Sequence, residues 1–502
     1  MGACVSQPKD PNILSIVRST GQQALSRARV INHSSLWDEY CTGEKPVILG
    51  SGMNGPVLRV YSKRNPELMY ALKEIKKEVI FRPSQKGTIS QIKRLHSSML
   101  LNELLIYLEV DHANIAKIYE VYESQKSVFI VTELCAGGEL FTHLKTVGKF
   151  NEIETIYMVS QILRAVNYLH NLGVCHGDIK LENFVFMRSK AGIFNNPIKL
   201  IDFGFSTRQD QSLSSVFGSP LYTSPETMEG KSTLKSDIWS VGVIVYMLLS
   251  GSAPFGGKTF SEVKTCIEKT CIADVIKNIK NLSIIGQNFL RECLQPDLSK
   301  RISAKDALAH PWISSSMVSR YSKIPKEAIV DCLESMVEYS SLGPLRRACI
   351  GLVAMHGPPI ENLGLYEGIF NLIDSNSDGY IQISELDDML KLYSINGNPN
   401  IFSAIDVRGD GRINFSEFLA ATQVYRVLQA KELSSTYRAL IESVFRKLDE
   451  DNSGFISEKN LNNLFGRLGY QGSQVVDLIK EGDFVGDGVI SLVEFFTFLT
   501  GS

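Results

Sequence analysis

Apolar and polar positions change rhythm twice along this 502-residue chain. Up to about residue 46 the chain is polar, with weak helical patterning. From Val47 short apolar runs alternate between turn residues, first VILGSGMNGPVLRVYSK and then ELMYALKEIKK. Period-two alternation broken by glycine predicts strand–turn–strand. A helix is expected around Met99 to Leu108, after a basic, serine-rich connection from Arg82 to Ser98. From Glu152 the period becomes helical, in ETIYMVSQILRAVNYLH, SDIWSVGVIVYMLLSG and AKDALAHPW. A small strand-rich lobe followed by a larger helical lobe, with a cleft between them, is the α+β arrangement this order predicts.

After Trp312 the pattern shifts again. Pro325 to about Met355 is an amphipathic stretch carrying LGPLRRACIGLVAM. Beyond it, Asp-x-x-x-Asp-Gly or a relative recurs four times, about 35 to 40 residues apart, each flanked by helical patterns. A repeated helix–loop–helix unit describes this most economically. The expected boundaries are 1–46 for an N-terminal extension, 47–312 for the bilobal domain, 313–360 for a junction and 361–502 for an all-α repeat domain.

Composition is that of an ordinary globular protein, with 44 % hydrophobic and 21 % charged residues. The formal net charge of −2 offers no global attraction for nucleic acid, and a monomer is expected. The stretch after residue 360 is acidic by about ten charges, which suits oxygen-ligand cation sites. The nine cysteines are scattered without C-x-x-C or zinc spacing, so reduced thiols are expected. No apolar run reaches the roughly 18 residues of a membrane span. Trp239 to Leu249, the longest candidate, reads as a buried helix. At the N-terminus Met1-Gly2-Ala3-Cys4-Val5-Ser6 fits the myristoylation pattern, with Gly2 as acceptor. A single myristoyl chain anchors only marginally, and palmitoylation of Cys4 would supply the second chain. The expected location is the cytoplasmic face of a membrane, the plasma membrane first.

The chemistry lies in the bilobal part. Leu49 leads into Gly50, Ser51, Gly52, Met53, Asn54, Gly55, Pro56 and Val57, a G-x-G-x-x-G-x-V turn whose glycines let backbone approach phosphate oxygens. Lys73 follows one strand later, within reach of the α/β-phosphates, and Glu103 on the next helix can pair with it. Cys175 to Phe184 reads CHGDIKLENF, giving Asp178, Lys180 and Asn183. KLIDFG supplies Asp202 as a magnesium ligand beside Asn183. Phosphoryl transfer needs metal-held phosphates, a group orienting the attacking hydroxyl and charge neutralisation, and these parts occur in the required order.

Residues 47–312 therefore resemble the eukaryotic protein kinases. The resemblance implies ATP and Mg2+ as cofactors and protein Ser/Thr as substrate. Ser224-Pro225-Glu226 stands for the A-P-E element, with Arg301 placed to pair with Glu226; Asp237-Ile238-Trp239 and His310-Pro311-Trp312 continue the large lobe. FIVTELCAGGEL aligns Thr132 with the gatekeeper and Glu133 to Cys135 with the hinge. Glu139 is either a ribose or basic-residue contact or a helix-start carboxylate. His176 is expected to be structural. Gly177 stands where the family carries the arginine that contacts a phosphorylated activation loop. This argues against that mode of control and leaves the chemical residues intact. Ser219 takes the place of a threonine that orients the catalytic aspartate.

The first acidic loop, DSNSDGYIQISE, matches the EF-hand pattern fully. Asp374, Asn376, Asp378, the Tyr380 carbonyl and bidentate Glu385 are the calcium ligands, with Gln382 acting through water and Gly379 making the turn. Asp406–Glu417 has Arg408 at its third position, Asp449–Asn460 lacks the terminal carboxylate, and Asp483–Glu494 has Val485 at its third position. Such loops either bind metal weakly or persist as pairing partners.

A kinase domain, an amphipathic junction and four EF-hands in two pairs resemble the calcium-dependent protein kinases of plants and apicomplexan parasites. The resemblance implies an autoinhibited enzyme with an intramolecular regulatory domain. It also implies that without calcium the junction, about 325 to 356, blocks or destabilises the cleft, and that calcium opens the EF-hands so that their apolar groove takes the junction up. Two alternatives stay open: a membrane-tethered calcium-sensing scaffold with a silent kinase fold, and an active kinase with weakened calcium control.

Overall fold

The computed structural model describes residues 30–31, 36–52, 55–77, 100–208, 219–315, 324–356, 363–429, 433–449, 451–465 and 473–501. Gly2, Cys4, Met53, Asn54 and the 82–98 connection lie outside the described residues.

Seven strands form the small lobe: β1 Val30–Ile31, β2 Tyr40–Cys41, β3 Val47–Gly52, β4 Gly55–Ser62, β5 Met69–Lys76, β6 Ile118–Glu123 and β7 Ser127–Glu133. Their order is β1-β6-β7-β5-β4-β2, with β3 also paired to β4. All pairs are antiparallel except β1 with β6. The sheet thus begins before Val47. Tyr40 is buried against Tyr70 and Tyr122 and donates to Glu120 at 2.6 Å. Two-residue strands carry too little alternation to be read as strands, so the polar lead-in contributes to this lobe.

The large lobe is built on the Glu152–Asn171 helix, buried from Thr155 to Leu169. Its start is set by a capping box in which the Asn151 side chain accepts from Glu154 N–H and Glu154 reaches back to Asn151 N–H. The Leu234–Ser250 helix packs on it and stops at Gly251, in left-handed conformation. The short strands Phe184–Phe186 and Ile198–Leu200 carry the segments that precede and follow the cleft.

A second hydrophobic core holds the junction and the C-terminal region. The junction forms two helices, Lys326–Ser340 and Pro344–His356. The second buries Leu345, Ile350, Leu352 and Val353 among the acidic-loop helices, at about 1.5–3 kcal/mol for each large side chain. Arg346 donates to Leu499 O at 3.1 Å and Arg347 to Leu342 O at 2.6 Å. The four helix–loop–helix units pair two by two. Ile381 bridges Ile413, and Phe455–Ile456 pairs with Ile490–Ser491. Among the described residues no helix is long and apolar enough to cross a membrane, and eight cysteines are free thiols.

Candidate active site and calcium loops

Strand register brings the first functional group into the cleft. Lys73 lies opposite Val57 on β4 and Ile130 on β7. Its Nζ donates to Glu103 Oε1 at 2.6 Å and to Asp202 Oδ1 at 2.9 Å. Burial opposes charge on Lys73, yet Glu103 and Asp202 raise its pKa above the ordinary lysine value. Burial likewise works against Asp202, but Lys73 and the Gly204 N–H hold its carboxyl below the usual range. Three sequence-distant groups, one from each of β5, the 100–109 helix and the segment after Leu200, are thereby joined.

The catalytic loop is fastened from beneath. His176 Nδ1 accepts the Asp178 N–H at 3.3 Å, so Nε2 carries the proton it gives to Asp202 O at 2.5 Å. This is the structural role expected of His176. Lys180 Nζ lies 2.5 Å from Asp178 Oδ2. Asn183 Nδ2 donates to Asp178 O at 2.8 Å and to its Oδ2 at 3.2 Å, which leaves the amide oxygen of Asn183 as a ligand atom.

Gly177 has φ +75°, and a Cβ there would lie 2.9 Å from Phe205 O. The position is left-handed and closely approached by backbone, two reasons for glycine beyond a missing phosphate receptor. The anchor is Asp237, buried at the start of the Leu234–Ser250 helix. It accepts His176 N–H, Gly177 N–H and His170 Nε2, each at 2.9 Å. Burial raises its pKa, but these donors bring it below the ordinary carboxylate value. Sequence reading matched Asp237 to its helix and missed this task. An acid at the head of an otherwise apolar helix was the available signal.

Ser224 is the N-cap of the Pro225–Met228 turn, its side chain accepting from Thr227 N–H, so serine in place of alanine is an added cap. Glu226 and Arg301 form the expected pair, two-pronged at 2.6 and 3.0 Å, with Arg301 fully buried. Ser219 lines the same small pocket as Asp178. Its carbonyl accepts from Thr223 Oγ1 at 3.0 Å. Pro56 stands in β4 opposite Ser51, and the turn is carried by Gly55 at φ +125°.

Thr132 is half-buried opposite Ala71 and Ile118. Glu133 is buried, accepts Lys117 N–H at 3.2 Å and faces Lys199 Nζ at 3.5 Å. Burial and Glu133 push the Cys135 thiol well up. Glu139 precedes the Leu140–Val147 helix without a side-chain cap bond, 3.7 Å from where a Gly50 Cβ would lie. Partial burial and then Glu182 raise its pKa.

In the first acidic loop Ser377 (φ +56°) and Gly379 (φ +86°) make the sharp bend. Asp374 accepts N–H bonds from Asp378 and Gly379 at 3.1 and 3.0 Å. Glu385 accepts from Asn376 N at 3.1 Å, Ser375 Oγ at 2.9 Å and Gln382 N at 2.9 Å. Burial, Asp378 and then Glu385 push Asp374 up to about 8. Burial first, and the neighbouring carboxylates after it, oppose charge here, and a divalent cation would relieve both, so the donor set fits calcium. Among the described residues no three acidic, histidine or cysteine side chains close into a ready-made cation site. In the third loop Asn460 Oδ1 accepts Ser457 N–H at 2.9 Å. Val485 in the fourth is 76 % exposed.

Comparison with known proteins gives a protein kinase domain at residues 44–313, EF-hand domain pairs at 366–423 and 459–502, and an EF hand at 441–465. Calcium-dependent protein kinase 5 of Plasmodium falciparum (isolate 3D7) is 30 % identical over 95 % of this chain and 81 % of its own length. Calcium-dependent protein kinase 4 of the same organism is 30 % identical, over 92 % and 87 %. Calcium-dependent protein kinase 7 of Oryza sativa subsp. japonica is 28 % identical, over 93 % and 82 %.

Proposed function

This chain belongs to the calcium-dependent protein kinases, and on that premise we propose that it transfers the γ-phosphoryl group of ATP to protein Ser/Thr hydroxyls under calcium control by its own EF-hand unit. The observation that carries the reading is the joining of Lys73, Glu103 and Asp202 above a loop holding Asp178, Lys180 and Asn183. A scaffold with a silent kinase fold has no need of this set.

ATP with Mg2+ supplies the transferable group and its charge neutralisation when bound. Lys73, held charged by its two carboxylates, grips the phosphates. Asp202 and the Asn183 amide oxygen would hold the magnesium. Asp178 orients the substrate hydroxyl and receives its proton, while Lys180 neutralises charge on the transferring group. Glu139 and Glu182 form a carboxylate pair near the helix start, which supports substrates with a basic residue near the acceptor.

Asp374, Asn376, Asp378, Tyr380 O and Glu385 would hold the calcium that sets the state of the regulatory unit. The Pro344–His356 helix, packed in the EF-hand core, supports the view that calcium holds the junction there and away from the cleft. Acylation at Gly2 and Cys4 tethers the enzyme to the cytoplasmic face of a membrane.

The test is transfer from ATP–Mg2+ to a basic serine peptide, with calcium and with chelator, beside Asp178→Asn. Transfer only with calcium, lost in the variant, is the expected result. Equal transfer in both conditions would leave a kinase freed of its EF-hands. No transfer in either, with nucleotide still bound, would favour the scaffold. Membrane fractionation of Gly2→Ala and Cys4→Ser variants tests the tether.

A further inference from the structure

The second EF-hand loop carries arginine at a ligand position, and that arginine has another partner. Arg408 Nη2 lies 3.3 Å from Asp111 Oδ2, with side-chain exposures of 10 % and 5 %. Ser416 Oγ, from the same loop, donates to Asp111 Oδ1 at 3.0 Å. Asp111 belongs to the kinase lobe, between the 100–109 helix and β6. One kinase carboxylate is thus bonded by the third and eleventh positions of a single EF loop. The loop's terminal acid stays within the loop, as Glu385 does in the first. Glu417 Oε1 accepts Arg408 N–H at 3.1 Å, and Oε2 accepts Asn414 Nδ2 at 2.6 Å.

The calcium loop is docked on the same seam. Tyr380 is part of the kinase-lobe core, its ring 5.4 Å from that of Tyr168. The two hydroxyls are 3.3 Å apart, and Tyr168 Oη also accepts Asp111 N–H at 2.9 Å. Arg412 of the second loop covers the Tyr380 ring at 4.2 Å. Asn167 Nδ2 donates to Ser377 O at 2.6 Å. A Cβ on Gly379 would lie 2.5 Å from Tyr168, so docking as well as loop geometry calls for glycine there. In return, Ala113 and Met187 of the kinase are buried in the regulatory core.

We infer that the second EF-hand is a latch that holds no calcium ion of its own. Through Arg408 and Ser416 on Asp111 it docks the first EF-hand pair onto the kinase, and so makes the calcium site of the first loop part of the docked surface. A guanidinium inside the loop repels a dication and at the same time supplies the charge that a buried kinase aspartate needs. The inference rests on the C-terminal unit being the regulator, but its readouts are docking and metal content, which do not depend on catalysis.

The experiment uses the full chain. Hydrogen exchange is followed over 110–116 and 164–171, and bound calcium is counted by equilibrium dialysis. Arg408→Ala and Asp111→Asn are each expected to raise exchange over 110–116 at least about ten-fold, and the double variant no further than either alone. Glu417→Gln is expected to leave the calcium count unchanged, whereas Arg408→Asp, which restores a ligand, raises it by one. If Asp111→Asn fails to fold, Arg408→Lys gives the graded case, with exchange between wild type and Arg408→Ala. Exchange in Arg408→Ala equal to wild type, additive single variants, or a calcium lost in Glu417→Gln would each overturn the latch.

Discussion

Asp237 Oδ1 accepts the backbone N–H of Gly177 at 2.9 Å, while its Oδ2 takes the N–H of His176 at the same distance. The position of Asp178 therefore depends on a carboxylate about sixty residues further along the chain. Each charge-assisted bond of this kind contributes about 1.5–3 kcal/mol. Asp237→Asn keeps the shape but turns one acceptor into a donor facing an N–H. Its kcat is expected to fall about ten- to a hundred-fold, with KM for ATP little changed. Steady-state kinetics with nucleotide and peptide varied separately check this; an equal rise in KM would point to a wider collapse of the cleft.

Gly177 is held at φ +75° against Phe205 O. Gly177→Ala places a Cβ in the left-handed region at a cost of about 1–2 kcal/mol, plus the displacement of that carbonyl. Chemical denaturation is expected to show a lower midpoint with unchanged slope. Unchanged stability would mean that the loop relaxes freely.

Thr132 offers a half-buried, short side chain between β5 and β6. ATP-competitive inhibitors with bulky aromatic groups are expected to bind, and Thr132→Met to weaken them by ten-fold or more, about 1.4 kcal/mol. ATP itself should retain its KM. Equal inhibition of both forms would remove Thr132 from the gatekeeper position.

Glu385 closes the calcium loop and accepts the Gln382 and Asn376 N–H groups. Glu385→Gln keeps one of those acceptors on the amide oxygen, turns the other into a donor and loses the bidentate charge. Half-maximal activation is expected at ten-fold higher calcium or more, with the chelated state unaltered. A wild-type calcium response would move the switch to another loop.

His112 lies at the docked seam, stacked on Tyr168, and accepts Asn114 N–H at 3.0 Å. Burial, then Arg164 and Lys199, bring its pKa down to about 3, with Asp111 opposing. Unfolded, the same histidine titrates near 6.5. The unfolded chain thus binds the extra proton between about pH 6.5 and 3, so stability falls with acid across that window, by about 1.4 kcal/mol per pH unit. Thermal melts from pH 7.5 to 5 should show the loss, and His112→Asn should flatten it. A variant as acid-sensitive as wild type would assign the effect to other groups.

What was legible in the sequence is what depends on spacing. The G-x-G-x-x-G turn, Asp178 with Asn183, Asp202 before Phe203-Gly204, and the first twelve-residue calcium loop are local patterns. Their residue types suit contact with phosphate or metal, so order along the chain reveals them. Arg301 with Glu226, 75 residues apart, was readable only through the resemblance to the protein kinases. The short strands before Val47 were not, because two residues carry no period.

The tertiary structure alone decided what faces what. Asp237 holding the catalytic loop, Lys199 standing between Glu133 and Glu367, Lys447 reaching Glu120 at 2.7 Å and Arg408 on Asp111 all join groups many residues apart. No local pattern marks such pairs. A buried charge needs a partner of opposite sign, but sequence says only that a partner must exist. Arg408 reads as a lost ligand until the fold sets it against Asp111, where the same positive charge that spoils a calcium loop satisfies a kinase carboxylate.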